Sequence, residues 1–202
     1  LKFRDTRETF VGGVPAILNR ISFSGELGYE IYVAPHFHLK LFEEIEANGK
    51  DLGLKLYGSR ALMSLRLEKN WGVWTLDFRP DFTALESGLD AFINWDKNFV
   101  GKEATLNEKK QGPNKKLVTM TVDTNNIDVT NDEAILKDNK CVGYVTSGGY
   151  AHHVKKSMAL GYVPLEFSKH ETILDIEING KLYKSHVTDR SLYDANGGKM
   201  KS

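Results

Sequence analysis

The hydrophobic grammar of this 202-residue chain changes at Gln111-Gly112-Pro113-Asn114, and that change limits the possible folds more than any other feature. Gly, Pro and Asn cluster there between charged residues, which is turn and linker chemistry. Before it, apolar residues recur at helical spacing. Phe37, Leu41 and Ile45 stand four apart, Glu43, Glu44 and Glu46 fill the opposite side, Pro35 precedes them and Asn48-Gly49 follows. That is an amphipathic helix with a start and a stop signal. A second helix is expected from Ser59 to Lys69, with Leu62, Leu65 and Leu67 on its apolar side, and a short surface helix from Gly101 to Lys110. Residues 20–34 read as paired strands, since Tyr29, Ile31 and Val33 alternate with Glu30 and Tyr32. The aromatic segment Trp71 to Asp96 is expected to hold a loop, a helical turn near Leu85 and a strand through Phe92-Ile93-Asn94-Trp95.

After the break, alternation takes over. Lys116–Val122, Glu133–Leu136 and Thr172–Ile178 each show a period of two. Asp138-Asn139-Lys140 and Ile178-Asn179-Gly180 are hairpin turns, and Asn-Gly favours the type I′ form. Short strands at close spacing point to a small antiparallel β-barrel or sandwich. The fold class is therefore α+β, with units at 1–112 and 113–202. The tail from Ala195, with Gly197-Gly198, is expected to fray.

Charge narrows the function classes. Lys and Arg number 27 and Asp and Glu number 27, so the chain has no global field to draw nucleic acid or an anionic membrane. No apolar run approaches the roughly 20 residues of a membrane span. Cys141 is the only cysteine, which rules out an intrachain disulfide and fits a reducing compartment, the cytoplasm or, in a eukaryote, the mitochondrial matrix. The chain opens on Leu1 without the basic end or apolar core of a signal peptide, and reads as part of a longer protein or as a processed mature chain.

Five blocks occur in an order that resembles the glycine-cleavage T-protein family of aminomethyltransferases. Ser22-Phe23-Ser24-Gly25-Glu26-Leu27-Gly28-Tyr29-Glu30 is similar to the family's aromatic, T/S-G-E-x-G-aromatic-E pattern. Gly58-Ser59-Arg60-Ala61 with Leu65-Arg66-Leu67-Glu68-Lys69 resembles G-x-R-A-x-x-x-L-R-L-E-K. Leu85-Glu86-Ser87-Gly88-Leu89 resembles P-L-E-A-G-L, with Ala84 in place of Pro. Phe99-Val100-Gly101-Lys102-Glu103-Ala104 resembles F-x-G-K-x-A. Val145-Thr146-Ser147-Gly148-Gly149 and Ala159-Leu160-Gly161-Tyr162-Val163-Pro164 resemble hairpin motifs of the family's C-terminal domain. The wording of the first two blocks leans toward the dimethylglycine and sarcosine dehydrogenase branch.

The resemblance implies the latter part of the folate-binding T-protein fold followed by a small antiparallel β-barrel. It implies tetrahydrofolate as cofactor and transfer of a one-carbon unit from a small amine donor or an aminomethyl carrier protein. It places the catalytic carboxylate in a preceding half of the module, so no catalytic residue is assigned here and the chain alone is expected to be inactive. FAD would belong only to a separate upstream domain of a dehydrogenase, since no Gly-x-Gly-x-x-Gly fingerprint is present. Relatives of this fold that demethylate sulfonium compounds, or that serve as non-catalytic interaction modules, are the alternative readings.

Four residues carry the expected folate site. By spacing alone Glu30 reads as a solvated strand residue; the resemblance reverses this, since it puts Glu30 at the family position where a carboxylate accepts the adjacent N–H and NH₂ donors of a pterin edge. Phe23 offers a stacking face or a core side chain, and lacks the hydroxyl of the Tyr usual in the T-protein branch. Arg60 can fork onto a carboxylate or carbonyl, or pair with a surface acid. Trp74, with Trp71, fits either the folate channel or packing between units. Glu68 and Glu86 are expected to brace helices or turns. No metal site is expected: His152-His153 would lie on opposite faces of a strand, His36 and His38 lack a third ligand, and Cys141 has no partner at metal spacing. Thr146-Ser147-Gly148-Gly149 reads as a turn, lacking the Lys of a phosphate loop.

Overall fold

A computed structural model describes all residues, 1–202. The chain starts as a hairpin of β1 (Thr6–Val11) and β2 (Val14–Asn19), joined through Gly12-Gly13, and β3 (Glu30–Tyr32) pairs antiparallel with β2. Both glycines have positive φ, 56° and 74°, the conformation a two-residue type I′ hairpin demands. The paired strands expected over 20–34 thus reduce to three residues, and their partner lies earlier in the chain. Residues 21–29 instead form a tight loop in which Ser22 Oγ accepts the Gly25 N–H at 3.0 Å. Serine and glycine there close turns locally rather than extending the strand.

A 3-10 turn at Pro35–Phe37 leads into α1 (His38–Gly49), and α2 (Ser59–Glu68) and α3 (Lys102–Gln111) follow. On α2 the deeply buried residues are Arg66, Leu67 and Glu68, so the apolar stripe of the sequence carries two charges into the interior. No strand forms at Phe92–Trp95; a 3-10 turn, Asp90–Phe92, occupies the start of that stretch. Its aromatic residues have no neighbouring strand edge to pair with, so a strand-like composition stays irregular.

The second part is a closed six-stranded antiparallel barrel. Its strands are β4 (Lys115–Val122), β5 (Ala134–Lys137), β6 (Lys140–Ala151), β7 (Lys156–Pro164), β8 (Ile173–Ile178) and β9 (Lys181–Thr188), arranged β4-β7-β6-β5-β8-β9 and back to β4. Val118, Met120, Ile135, Val145, Leu174, Ile176 and Val187 fill the interior. The expected turns form: Asp138-Asn139 and Asn179-Gly180 all have positive φ and join directly paired residues. Gly161 is required by packing, because a Cβ there would sit 2.6 Å from Ile135 Cδ1 and 2.7 Å from Tyr144 O.

β7 is buried along nearly its whole length. Ala159 and Val163 join the barrel core, while Met158 and Leu160 form a second cluster with Leu67 of α2. Alternate side chains thus serve two cores, and the barrel wall is the floor on which α2 rests. Thr146-Ser147-Gly148-Gly149 is not a turn but the middle of β6, with a bulge between Val145 and Ser147. His152 and His153 lie in the β6–β7 turn, not on a strand.

The tail is docked, not frayed. It ends in a short helix, α4 (Gly198–Lys201). Arg20, 2% exposed, donates from Nη1 to Met200 O at 3.0 Å and from Nη2 to Ser202 O at 2.6 Å. Lys69 donates to Tyr193 O at 3.1 Å and Asp194 O at 2.5 Å. Tyr193 stacks on His153 and donates to Glu26. Glycines that look like fraying signals instead let the chain turn back onto buried cations: the tail supplies the acceptors of Lys69, and for Arg20 it adds two to the longer contact with Gly28 O at 3.4 Å. Arg20→Ala should free this segment. Trypsin cleavage after Lys199 is expected to quicken at least about tenfold, as local opening becomes easier; an unchanged rate would show that Arg20 does not hold the tail.

Candidate functional site

The first feature is the open face of the β1-β2-β3 sheet. Glu30 and Tyr32 are two apart on β3 and share a face, and the Tyr32 hydroxyl donates to Glu30 Oε2 at 2.5 Å. That bond to Glu30 raises the Tyr32 pKa. Ile17 pairs with Tyr32, and Phe10 with Pro15, so these residues stand on the same face. Phe10, Ile17 and Tyr32 are all exposed there, Phe10 at 71%. The other face is closed: Val14 and Ala16 are buried, and the Arg20 guanidinium lies 5.2 Å from the centroid of the Tyr29 ring. Glu30 therefore presents an exposed carboxylate, with no cation paired to it, beside an apolar concavity of about 750 Å³ lined by Phe10, Ile17 and Tyr32 among others.

The second feature is an aromatic cleft of about 790 Å³ that contains Phe23 and Trp71, with Phe3, Phe78 and Phe92. A neighbouring cleft of about 470 Å³ holds Trp74, 75% exposed, and shares Phe78, Ser87 and Leu89 with the first. Phe23 and Trp74 thus reach adjoining spaces. Glu30 and Arg60 line neither. Arg60 is exposed on the first turn of α2 and has no salt-bridge partner. Asn70, in the larger cleft, has a buried side-chain oxygen without a hydrogen-bond partner. A buried acceptor left open is costly unless a donor arrives.

The cleft walls are held by a buried polar clasp centred on Asp77, which is fully buried. Asp77 Oδ2 accepts from Arg66 Nη1 at 3.0 Å, Val73 N at 2.8 Å and Ser147 Oγ at 2.9 Å; Oδ1 accepts from Thr146 Oγ1 at 2.5 Å. Arg66 Nη2 donates in turn to Ser147 Oγ at 2.8 Å. Burial lowers the Arg66 pKa, and the Asp77 charge opposes that shift. The β6 bulge explains how two successive side chains, Thr146 and Ser147, both meet one carboxylate: two residues oppose one on β7, and the extra residue is re-aimed. Tyr162 Oη donates to Asp77 O at 2.9 Å and takes the Ser87 hydroxyl at 2.7 Å, while its ring stacks on Phe82 at 3.5 Å. The loop bearing Trp71 and Trp74 is thereby fixed to α2 and to the barrel at once.

Glu68 and Glu86 act as braces. Glu68, fully buried, accepts the His153 N–H at 2.7 Å, and its other oxygen lies 2.7 Å from His153 Nδ1. Glu86 Oε2 accepts the Thr83 N–H at 3.1 Å. No group of three or more His, Cys, Asp or Glu side chains is placed to hold a metal ion.

Models of two successive domains of one family match the chain: the GCVT N-terminal domain over residues 1–97 and the glycine cleavage T-protein C-terminal barrel domain over residues 115–194. The chain belongs to the glycine-cleavage T-protein family. It is 34% identical over 193 residues to human mitochondrial dimethylglycine dehydrogenase, across 95% of this chain and 22% of that protein. It is 34% identical over 187 residues to an aminomethyltransferase of Caldanaerobacter subterraneus subsp. tengcongensis, across 92% of this chain and 50% of that protein. The solved glycine cleavage system aminomethyltransferase T of Bartonella henselae shares the fold, with a TM-score of 0.86 at 24% identity over 96% of this chain and 54% of that one. This T-protein-family chain thus spans about half the length of such aminomethyltransferases and about a fifth of the dehydrogenase.

Sequence reasoning missed Asp77, Asn70 and the clasp. The available signals were faint: a lone acid in Leu76-Asp77-Phe78, and charges inside the Leu65-Arg66-Leu67-Glu68 stripe. A charge within an apolar stripe implies a buried partner, but not which one.

Proposed function

We propose that this chain is the latter part of a tetrahydrofolate-dependent aminomethyltransferase-like module, which moves a one-carbon unit from an amine donor or an aminomethyl carrier protein to tetrahydrofolate. The observation that carries this reading is Glu30: an exposed carboxylate without a cation, on an open apolar sheet face. A pterin edge offers the adjacent N–H and NH₂ donors that such a carboxylate accepts together. Phe23 supplies a stacking face, Trp74 borders the adjoining cleft, and Arg60, free of an acid partner, forks onto a carboxylate or carbonyl of the folate. The unpartnered oxygen of Asn70 also suits a ligand rich in N–H donors.

Tetrahydrofolate supplies the nitrogen that receives the one-carbon unit. The residues of this chain bind and orient it. The carboxylate that manages the proton belongs to a preceding half of the module, which would also cover Phe10, Ile17 and Tyr32, an exposed apolar group of the kind that marks an interface. A pocket lacking one wall binds weakly, so the chain alone turns nothing over. A flavin, where the parent is a dehydrogenase of the dimethylglycine or sarcosine type, resides in an upstream domain. The family membership favours the cytoplasm, or the mitochondrial matrix of a eukaryote; no helix here is long and apolar enough to cross a membrane.

Glu30→Gln in the full-length protein tests the reading. Gln keeps the size but turns a donor toward the pterin donors. Tetrahydrofolate binding is expected to weaken by about 1.5–2 kcal/mol, the lower part of the range for hydrogen bonds to a charged group, because the site is partly solvated. In a flavin-bearing parent, amine oxidation should survive while formaldehyde escapes. Unchanged folate affinity by equilibrium binding would remove Glu30 from the site and leave the open sheet face as a protein-interaction surface.

A further inference from the structure

The larger cleft has a charge pattern that neither the pterin ring nor Glu30 accounts for. Its lining includes five aromatic residues and two cations, Arg4 and Lys201, and no acid at all. In a chain whose positive and negative side chains balance at 27 each, such a one-signed cleft is a local excess. Neither cation forms a salt bridge. Arg4 leans over the Phe3 ring at 5.7 Å, and Lys201 Nζ donates only to Asn196 O at 2.9 Å. Both are exposed, so both remain available to a ligand. Lys201 is brought there by the docked tail: Arg20 holds the carbonyls of Met200 and Ser202, and Met200 joins the cleft wall. One cation therefore comes from the start of the chain and the other from a segment nearly 200 residues later.

We propose that Arg4 and Lys201 form a carboxylate-binding pair for the acidic end of a flat, ring-bearing ligand, and that the C-terminal segment is a required wall of this cleft. The inference rests on the folate reading above and extends it. Tetrahydrofolate joins a ring system to a glutamate with two carboxylates. Aromatic walls accept the rings, and two unpaired cations accept the carboxylates by charge-assisted hydrogen bonds. Arg60 lines neither cleft, so it does not supply this contact from the cleft itself.

The test compares tetrahydrofolate with a tetrahydropterin that lacks the aminobenzoyl-glutamate, in the full-length protein carrying this chain. The wild type is expected to bind tetrahydrofolate more tightly. Arg4→Gln and Lys201→Gln should each weaken tetrahydrofolate about tenfold, a loss of about 1.4 kcal/mol, and leave tetrahydropterin unchanged. Lys201→Arg should restore most of the affinity, which a merely structural role for the side chain would not require. Full tetrahydrofolate affinity in both Gln variants would overturn the pair while the folate reading stands. So would an equal loss for both ligands, or a loss produced by Arg60→Gln instead. A wild type that binds neither ligand would overturn the folate reading, and the pair with it.

Discussion

Asp77→Ala is expected to lower the free energy of unfolding by about 3–5 kcal/mol, the usual cost of stranding one half of a buried ion pair. Arg66 is 3% exposed and Asp77 fully buried, so neither can turn to water when its partner is lost. Arg66 Nε already lacks a hydrogen-bond partner, and the substitution would leave Nη1 with Trp71 O at 3.0 Å alone and the buried guanidinium without a counter-ion. Ser147 and the Val73 N–H would lose their acceptor too, while Thr146 would keep only the longer bond to Leu160 O at 3.2 Å. Urea denaturation followed by tryptophan fluorescence reads the effect directly, since Trp71 and Trp74 sit on the loop that Asp77 fixes. The double variant Arg66→Met with Asp77→Leu should recover a large part of the loss, because it removes both charges instead of one. A single-variant loss below about 1 kcal/mol would mean that the clasp is solvated in solution and is not what joins α2 to the barrel.

Tyr162 sets the second large effect, and it depends on pH. Burial, the leading cause, pushes the pKa of its hydroxyl up to about 12 from the ordinary value near 10. In the unfolded chain the phenol loses its proton above pH 10, whereas the folded chain keeps it until about pH 12. Between those values the folded state binds more protons, so stability falls as pH rises. The contribution is fully present below pH 10. Two pH units at about 1.4 kcal/mol each bring the loss to about 3 kcal/mol by pH 12. Other tyrosines and lysines titrate in the same window, so the measurement is the difference between wild type and Tyr162→Phe. Phe removes the bonds to Asp77 O and Ser87 and is less stable at neutral pH. The wild-type advantage should shrink steadily above pH 10. A gap that stays constant to pH 12 would show that the hydroxyl is not desolvated.

The barrel was the most legible part of the chain because its signals are local. Alternation, an Asn179-Gly180 turn and an Asp138-Asn139 turn each act over a few residues, and each formed where the sequence placed it. The errors came where distant residues decide. Thr146-Ser147-Gly148-Gly149 has turn chemistry, yet Asp77 and the β7 partner draw it into a bulged strand. Gly197-Gly198 suggests a loose end, yet Arg20 and Lys69 capture the segment around it. Phe23 and Trp74 stand out in the sequence by motif and by aromatic character, and the fold sets them on adjoining clefts. Arg4, Asn70 and Lys201 carry no local mark, since only the folded chain brings residues 4, 70 and 201 to one cleft.

The capture of the tail also orders events in time. Arg20 is made before the barrel, and its acceptors at residues 200 and 202 are made after it. Chains tend to fold unit by unit as they emerge from the ribosome, but here a buried cation of the first unit must wait until the whole barrel has been made to meet these two carbonyls. Until then Arg20 stays hydrated, the wall that carries Met200 and Lys201 is absent, and the aromatic residues of the cleft face water. A nascent chain therefore exposes this aromatic cleft for the whole time the barrel is being made, an interval in which unburied apolar surface favours aggregation.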